Sequence, residues 1–87
     1  MKIISETINQ IEYLNHCKAA YTIANALASA CNYKYEVSLL AVSAGLDKSN
    51  FALIQRLSAI TKESDFSNAA QDEALAWLRE NNYIDNK

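Results

Sequence analysis

Apolar side chains in the first third of the chain recur at steps of three and four residues: Ile4, Ile8, Ile11, Leu14, Cys17, Tyr21, Ala24, Leu27 and Cys31. Steps of that size keep successive side chains on one face of a helix. They predict one long helix over about Glu6–Cys31, roughly 39 Å from end to end. Ser5 or Thr7 would cap its start, with Thr7 and Gln10 at capping-box spacing. The second half of this helix is apolar or small on nearly every side. "AAYTIANALASA" adds Ile23 and Leu27 as a second stripe, and Ala20, Ala24 and Ala28 form a ridge of small residues at every fourth position. A helix apolar on several faces needs covering on several faces. A short chain has few helices to supply that cover, so a second copy of the chain is the expected partner. Ala20, Tyr21, Ala24, Leu27 and Ala28 would form the interface of this homo-oligomer, with the ridge meeting itself across a two-fold axis.

The rest of the chain divides at "NYKY" (residues 32–35). Helix two is predicted over about Tyr35–Ala44, stopping at Gly45, where a left-handed C-cap costs little. Asp47 or Ser49 would cap helix three, about Lys48–Thr61, with Phe51, Ile54, Leu57 and Ile60 turned inward. "KESDFS" reads as a loop. Ser67 or Asn68 would cap helix four, about Ala69–Asn81. Its apolar face is Ala70, Ala74, Trp77 and Leu78, and Asp72 and Glu73 sit near its positive end. "NNYIDNK" reads as a tail. The expected fold is all-α: a four-helix compact domain over residues 1–87, with one long N-terminal helix and a helix-turn-helix-like pair at 35–61.

Composition supports this pattern and narrows the chemistry. The chain has 87 residues, one Gly, no Pro and 51% apolar residues. With so little Gly and Pro, hairpin turns have few sites. The start, "MKIISETINQ", lacks the apolar core of a secretory signal. The uncharged run Ala19–Tyr33 is too short to span a bilayer. A soluble cytoplasmic protein with no membrane contact is expected. Cys17 and Cys31 on one helix would lie about 21 Å apart, too far for a disulfide. His16, Cys17 and Cys31 lack the paired spacing and the fourth ligand of a zinc centre. His16 has no catalytic partner in reach, and one Gly cannot build a phosphate loop. No catalytic residue, metal or cofactor is expected, and the chain reads as a non-enzyme.

Residues 39–57, "LLAVSAGLDKSNFALIQRL", carry the one recognisable pattern. Two steeply crossing helices need a small residue at the crossing and a permissive turn. Ala41 and Gly45 occupy those places, and Leu40, Ala44, Leu46, Phe51 and Ile54 fall where such a pair buries its core. The segment resembles the helix-turn-helix of bacterial and phage regulators. As a DNA reader it would present Lys48, Ser49, Asn50, Gln55 and Arg56 to base edges and phosphates. Ala52 and Leu53 interrupt that arc, and Leu39 and Val42 add apolar groups around the first helix. Charge is also unfavourable. Residues 1–34 and 35–62 each carry net +1, and residues 63–87 carry net −4, so no basic stripe is available for phosphates.

Length, helical character and acidity together make the chain similar to the small prophage antirepressors. That resemblance implies a protein that binds a phage repressor and takes it off its operator. The resemblance assigns no residues. Side-chain chemistry alone nominates Leu53, Asp72, Glu73, Trp77 and Glu80 for the contact with a DNA-binding regulator: apolar anchors for affinity, and acidic groups opposite basic ones for selectivity. The alternative is a small dimeric helix-turn-helix transcriptional regulator that binds DNA directly.

Overall fold

A computed structural model describes residues 1–85. The architecture is all-helical, as the periodicity predicts, but five α-helices replace the expected four among the described residues. They are α1 (Lys2–Leu14), α2 (Lys18–Cys31), α3 (Leu39–Gly45), α4 (Lys48–Leu57) and α5 (Asn68–Glu80), with a 3-10 turn at Ile60–Lys62. None of them is long and apolar enough to cross a membrane.

The long N-terminal helix is broken in two. Asn15 and His16 both take left-handed backbone conformations, with φ of 51° and 61°. Asn tolerates that region because its short side chain hydrogen-bonds locally, and its N–H closes the last turn of α1 on the Ile11 carbonyl. His also visits this region more often than most residues, but a left-handed non-glycine residue still costs on the order of 1–3 kcal/mol. The His16 backbone N–H donates to Tyr83 Oη at 3.1 Å. Its ring stacks on Tyr83 at 4.4 Å and 5° between planes, and Nδ1 lies 2.9 Å from Tyr21 Oη. The apolar stripe runs through the break because both helices need an inward face. The period therefore continues where the helix does not.

The break folds α1 back over α2, which is also packed against α3, α4 and α5. The helix that is apolar all round is thus the central one. The ridge Ala20, Ala24 and Ala28 is 0% exposed, and so is Leu27. The expected oligomer interface through these residues is corrected here: they are consumed by the core of a single chain. Only Tyr21 of that set reaches the surface, and it is engaged with His16.

Thr7 is not a cap. Helix α1 begins at Lys2, and the buried Thr7 hydroxyl donates back to the Ile3 carbonyl. The start of α1 is satisfied from elsewhere, since Lys2 N–H donates to Asp65 Oδ2 at 2.7 Å. That bond holds the Asp65 carboxyl below its ordinary range. The N-caps of α4 and α5 fall where the sequence puts them. Asp47 Oδ1 accepts from Asn50 N–H, and Ser67 Oγ accepts from Ala70 N–H.

The described part of "NNYIDNK", residues 81–85, is not a free tail. Asn82 is left-handed (φ 62°), Asn82 N–H bonds Arg79 O, and Tyr83 N–H bonds Leu78 O. This is a Schellman closure of α5. It drops Tyr83 into the core, stacked on Trp77 as well as on His16. Asn86 and Lys87 lie outside the described residues.

Candidate protein-docking surfaces

The α3–α4 pair keeps the outline of a helix-turn-helix, but its surface differs from the expected one. Residues 35–38 are not helical, and Ser38 is extended. Ser38 caps α3 by accepting from Ala41 N–H, so the helix has seven residues instead of the ten expected. Tyr35 and Val37 pack on the core as a strap, with Tyr35 Oη 3.4 Å from Arg79 Nη2. A helix of two turns can turn only one narrow stripe inward. That stripe is Val42, 3% exposed, and Leu39 and Leu40 are left 79% and 75% exposed. Leu40 was placed in the core and Val42 outside by the helix-turn-helix alignment, and the structure exchanges them. Ala44 also lies on the surface. Gly45 ends α3 without a positive φ, and a Cβ built there would meet no atom within 4 Å. The left-handed cap expected at Gly45 is therefore absent.

Helix α4 is equally committed. Asn50 is 5% exposed and accepts a hydrogen bond from Gln10 Nε2 at 2.9 Å, which ties α4 to α1. Arg56 donates to Glu6 and, at 3.0 Å, to Glu63. Asn50 cannot reach a DNA groove, and Arg56 is already paired with two carboxylates. Lys48, Ser49 and Gln55 remain exposed. Leu53, the expected exposed anchor, is half-buried against the core. The exposed anchors are Leu39 and Leu40, one helix earlier. The stretch 37–46 around them contains no charged residue. A cleft flanks α3 on each side: one of about 180 Å3 bordered by Ala30, Val37, Leu39 and Ile54, the other of about 330 Å3 bordered by Thr22, Leu40, Ala41 and Ala44.

The other nominated residues lie on α5. Glu73 and Trp77 are brought together in a groove of about 270 Å3 between α1 and α5, floored by Ile4, Ile8, Ala70 and Ala74. Glu80 follows Glu73 by seven residues, about 10.5 Å along the same face, and is exposed. Asp72 is separated from them. It faces Cys31 at the end of α2, whose thiol is pushed up to about 11, first by burial and then by the Asp72 charge. A thiol held that high is mostly un-ionised at neutral pH and weakly reactive.

No protein-family model matches the chain, and neither the curated proteins nor the solved structures yield a match.

Proposed function

We propose that this protein is a non-enzymatic regulator of the phage or prophage antirepressor kind, which works by binding a DNA-binding repressor protein and not by reading DNA. One observation carries the reading. In the helix pair that resembles a DNA reader, the large apolar side chains Leu39 and Leu40 face outward, while two of the five polar readers, Asn50 and Arg56, are tied into the protein. Burying one such leucine contributes roughly 1.5–3 kcal/mol, so a partner gains by covering this face. The stretch 37–46 is uncharged, and its knobs lie beside clefts, one of them bordered by Lys18. Both properties suit contact with an identical face on a second copy, because an isologous interface must be complementary to itself. Homo-oligomer formation through α3 is thus part of the proposal, replacing the alanine ridge. Work in the cytoplasm, where a repressor acts, follows from it.

The test is affinity capture from the native host with the intact protein as bait, followed by a gel-shift with the captured regulator on its DNA. Capture of a DNA-binding regulator, and release of its DNA on adding this protein, is the expected result. Capture of none removes the reading. The alternative of direct DNA binding rests on Lys48, Ser49 and Gln55, which stay exposed on α4. A gel-shift by the protein alone that weakens steeply with salt would favour it.

A further inference from the structure

We infer that Lys34, Tyr35 and Arg79 form a receptor for a dianionic phosphate group. The site shares no lining residue with the three clefts described above, and it stands apart from the protein-binding reading. A tight turn builds it. Just after α2, Asn32 O accepts from Tyr35 N–H at 3.2 Å, and Asn32 Oδ1 accepts from Lys34 N–H at 3.0 Å. The turn brings Tyr35 to the last turn of α5, where Arg79 Nη2 donates to Tyr35 Oη at 3.4 Å. Lys34 Nζ sits over the Tyr35 ring, 5.1 Å from its centre. Two cations thus flank one phenol. They hold it below its ordinary range, the Arg79 hydrogen bond most of all, while burial pulls the other way. Neither cation is neutralised: among the described residues the ion pairs are those of Arg56 with Glu6 and Glu63. Asp72, the carboxylate that faces Cys31, lies seven residues back along α5, about 10.5 Å away along the axis.

Arg79 carries a second sign of an absent acceptor. Its Nε is buried and has no hydrogen-bond partner, although an unpaired buried donor is costly. Nε and Nη2 share one edge of the guanidinium, the edge that grips an oxyanion through two parallel bonds. Within the protein that edge makes only the long bond to Tyr35. Turning it toward an oxyanion gives up that bond and satisfies both donors. The negative end of the α5 dipole favours an Arg in the last turn. That accounts for Arg79 alone, and not for an unpaired Lys34 and a hydroxyl beside it. Three side chains offer donors: the Arg79 edge, the Lys34 ammonium and the Tyr35 O–H. They match an oxyanion with three terminal oxygens, and two positive charges match two negative ones. A carboxylate or a phosphodiester offers two such oxygens and one charge.

The test is a nitrogen–proton NMR titration of the intact protein at low salt, above the second ionisation of phosphate. The probes are inorganic phosphate, dimethyl phosphate and acetate, read at the Arg79 Nε–H and at the Lys34 and Tyr35 amides. Inorganic phosphate is expected to shift all three signals along one saturating curve. Dimethyl phosphate, the diester of a nucleic-acid backbone, and acetate should bind more weakly by about tenfold or more. The Nε–H of Arg56, already held by two carboxylates, should stay in place. Arg79→Gln and Lys34→Gln should each weaken phosphate binding by about tenfold. Tyr35→Phe, which keeps the ring and removes the hydroxyl, should weaken it several-fold. Lys34 is exposed, so Lys34→Gln tests the site without disturbing the core. The inference is overturned by shifts that never saturate, by equal affinity for the three anions, or by phosphate binding as tight as wild type in Lys34→Gln or Tyr35→Phe. Each of these outcomes leaves capture of a DNA-binding regulator from the host as a separate result.

Discussion

The α1–α2–α5 body and the α3 segment solve the same problem, covering apolar side chains, in opposite ways. In the body each irregularity has a partner that holds it. The left-handed turn at Asn15 and His16 is clasped by Tyr83 and Tyr21, and Asn82 closes α5 so that Tyr83 can reach the clasp. In the α3 segment a seven-residue helix is anchored by Val42 alone among its fully buried residues, and its two leucines face outward. Helix α4 stands between these extremes. It is fixed to α1 by polar ties, Gln10 to Asn50 and Glu6 to Arg56, which engage two of the five groups a DNA reader would use. The difference separates residues that hold the fold from residues free to bind something else.

That separation can be broken by substitution, and the largest effect is expected in the body. Leu27→Ala should cost about 2–5 kcal/mol as a core truncation, whereas Leu40→Ala should change stability by no more than about 0.5 kcal/mol. Urea unfolding of both variants checks this, and equal costs would erase the distinction. Next comes the clasp. Tyr83→Ala should cost about 3 kcal/mol as the loss of a packed aromatic ring, and Tyr83→Phe about 1 kcal/mol for the hydrogen bond to His16 N–H. If the aromatic clasp does not hold the turn, calorimetry will show Tyr83→Ala melting with the wild type.

Gly45→Ala gives a smaller effect of opposite sign. With no positive φ and open space around the added methyl, it should stabilise by roughly 0.5–1 kcal/mol. A thermal-melt loss of that size would instead mean that the turn needs glycine, as a helix-turn-helix reader would. The smallest effect concerns acid. The Asp65 carboxyl is held below its ordinary value of 3.8, chiefly by the bond from Lys2 N–H. Its contribution is therefore present above that value and lost as pH falls through the lowered one. Asp65→Asn should melt slightly lower at neutral pH and lose less stability on acidification. Parallel pH curves for the two proteins would show that the bond contributes nothing.

The sequence made some of this legible and hid the rest for physical reasons. Asp47 and Ser67 were readable as caps, because a capping side chain acts on the backbone three residues away and needs no tertiary context. The break at Asn15–His16 was not, because a continuous period is equally consistent with one helix or with two that share a core. What signal existed lay in Asn, which takes left-handed positions at residues 15 and 82, while the one Gly takes none. The oligomer ridge failed for the same reason: once the helix folds back, its own chain covers Ala20, Ala24 and Ala28. On the candidate surfaces, side-chain chemistry nominates Glu73 and Trp77 separately, and the structure sets both on one face of α5, where they line one groove. The exchange of Leu40 and Val42 reflects which face of the seven-residue α3 packs inward, a phase that helical spacing alone does not fix.

The central claim is that Leu39 and Leu40 serve contact and not folding. Light scattering across a wide concentration range tests it most directly, on the wild type and on Leu39→Asp with Leu40→Asp, with helical content followed on the same samples. The account predicts a wild-type mass that rises to that of a multimer, and a variant that stays at the mass of one chain while keeping its helical content. A wild type that remains a single chain at every concentration, or a variant that assembles as the wild type does, would contradict it.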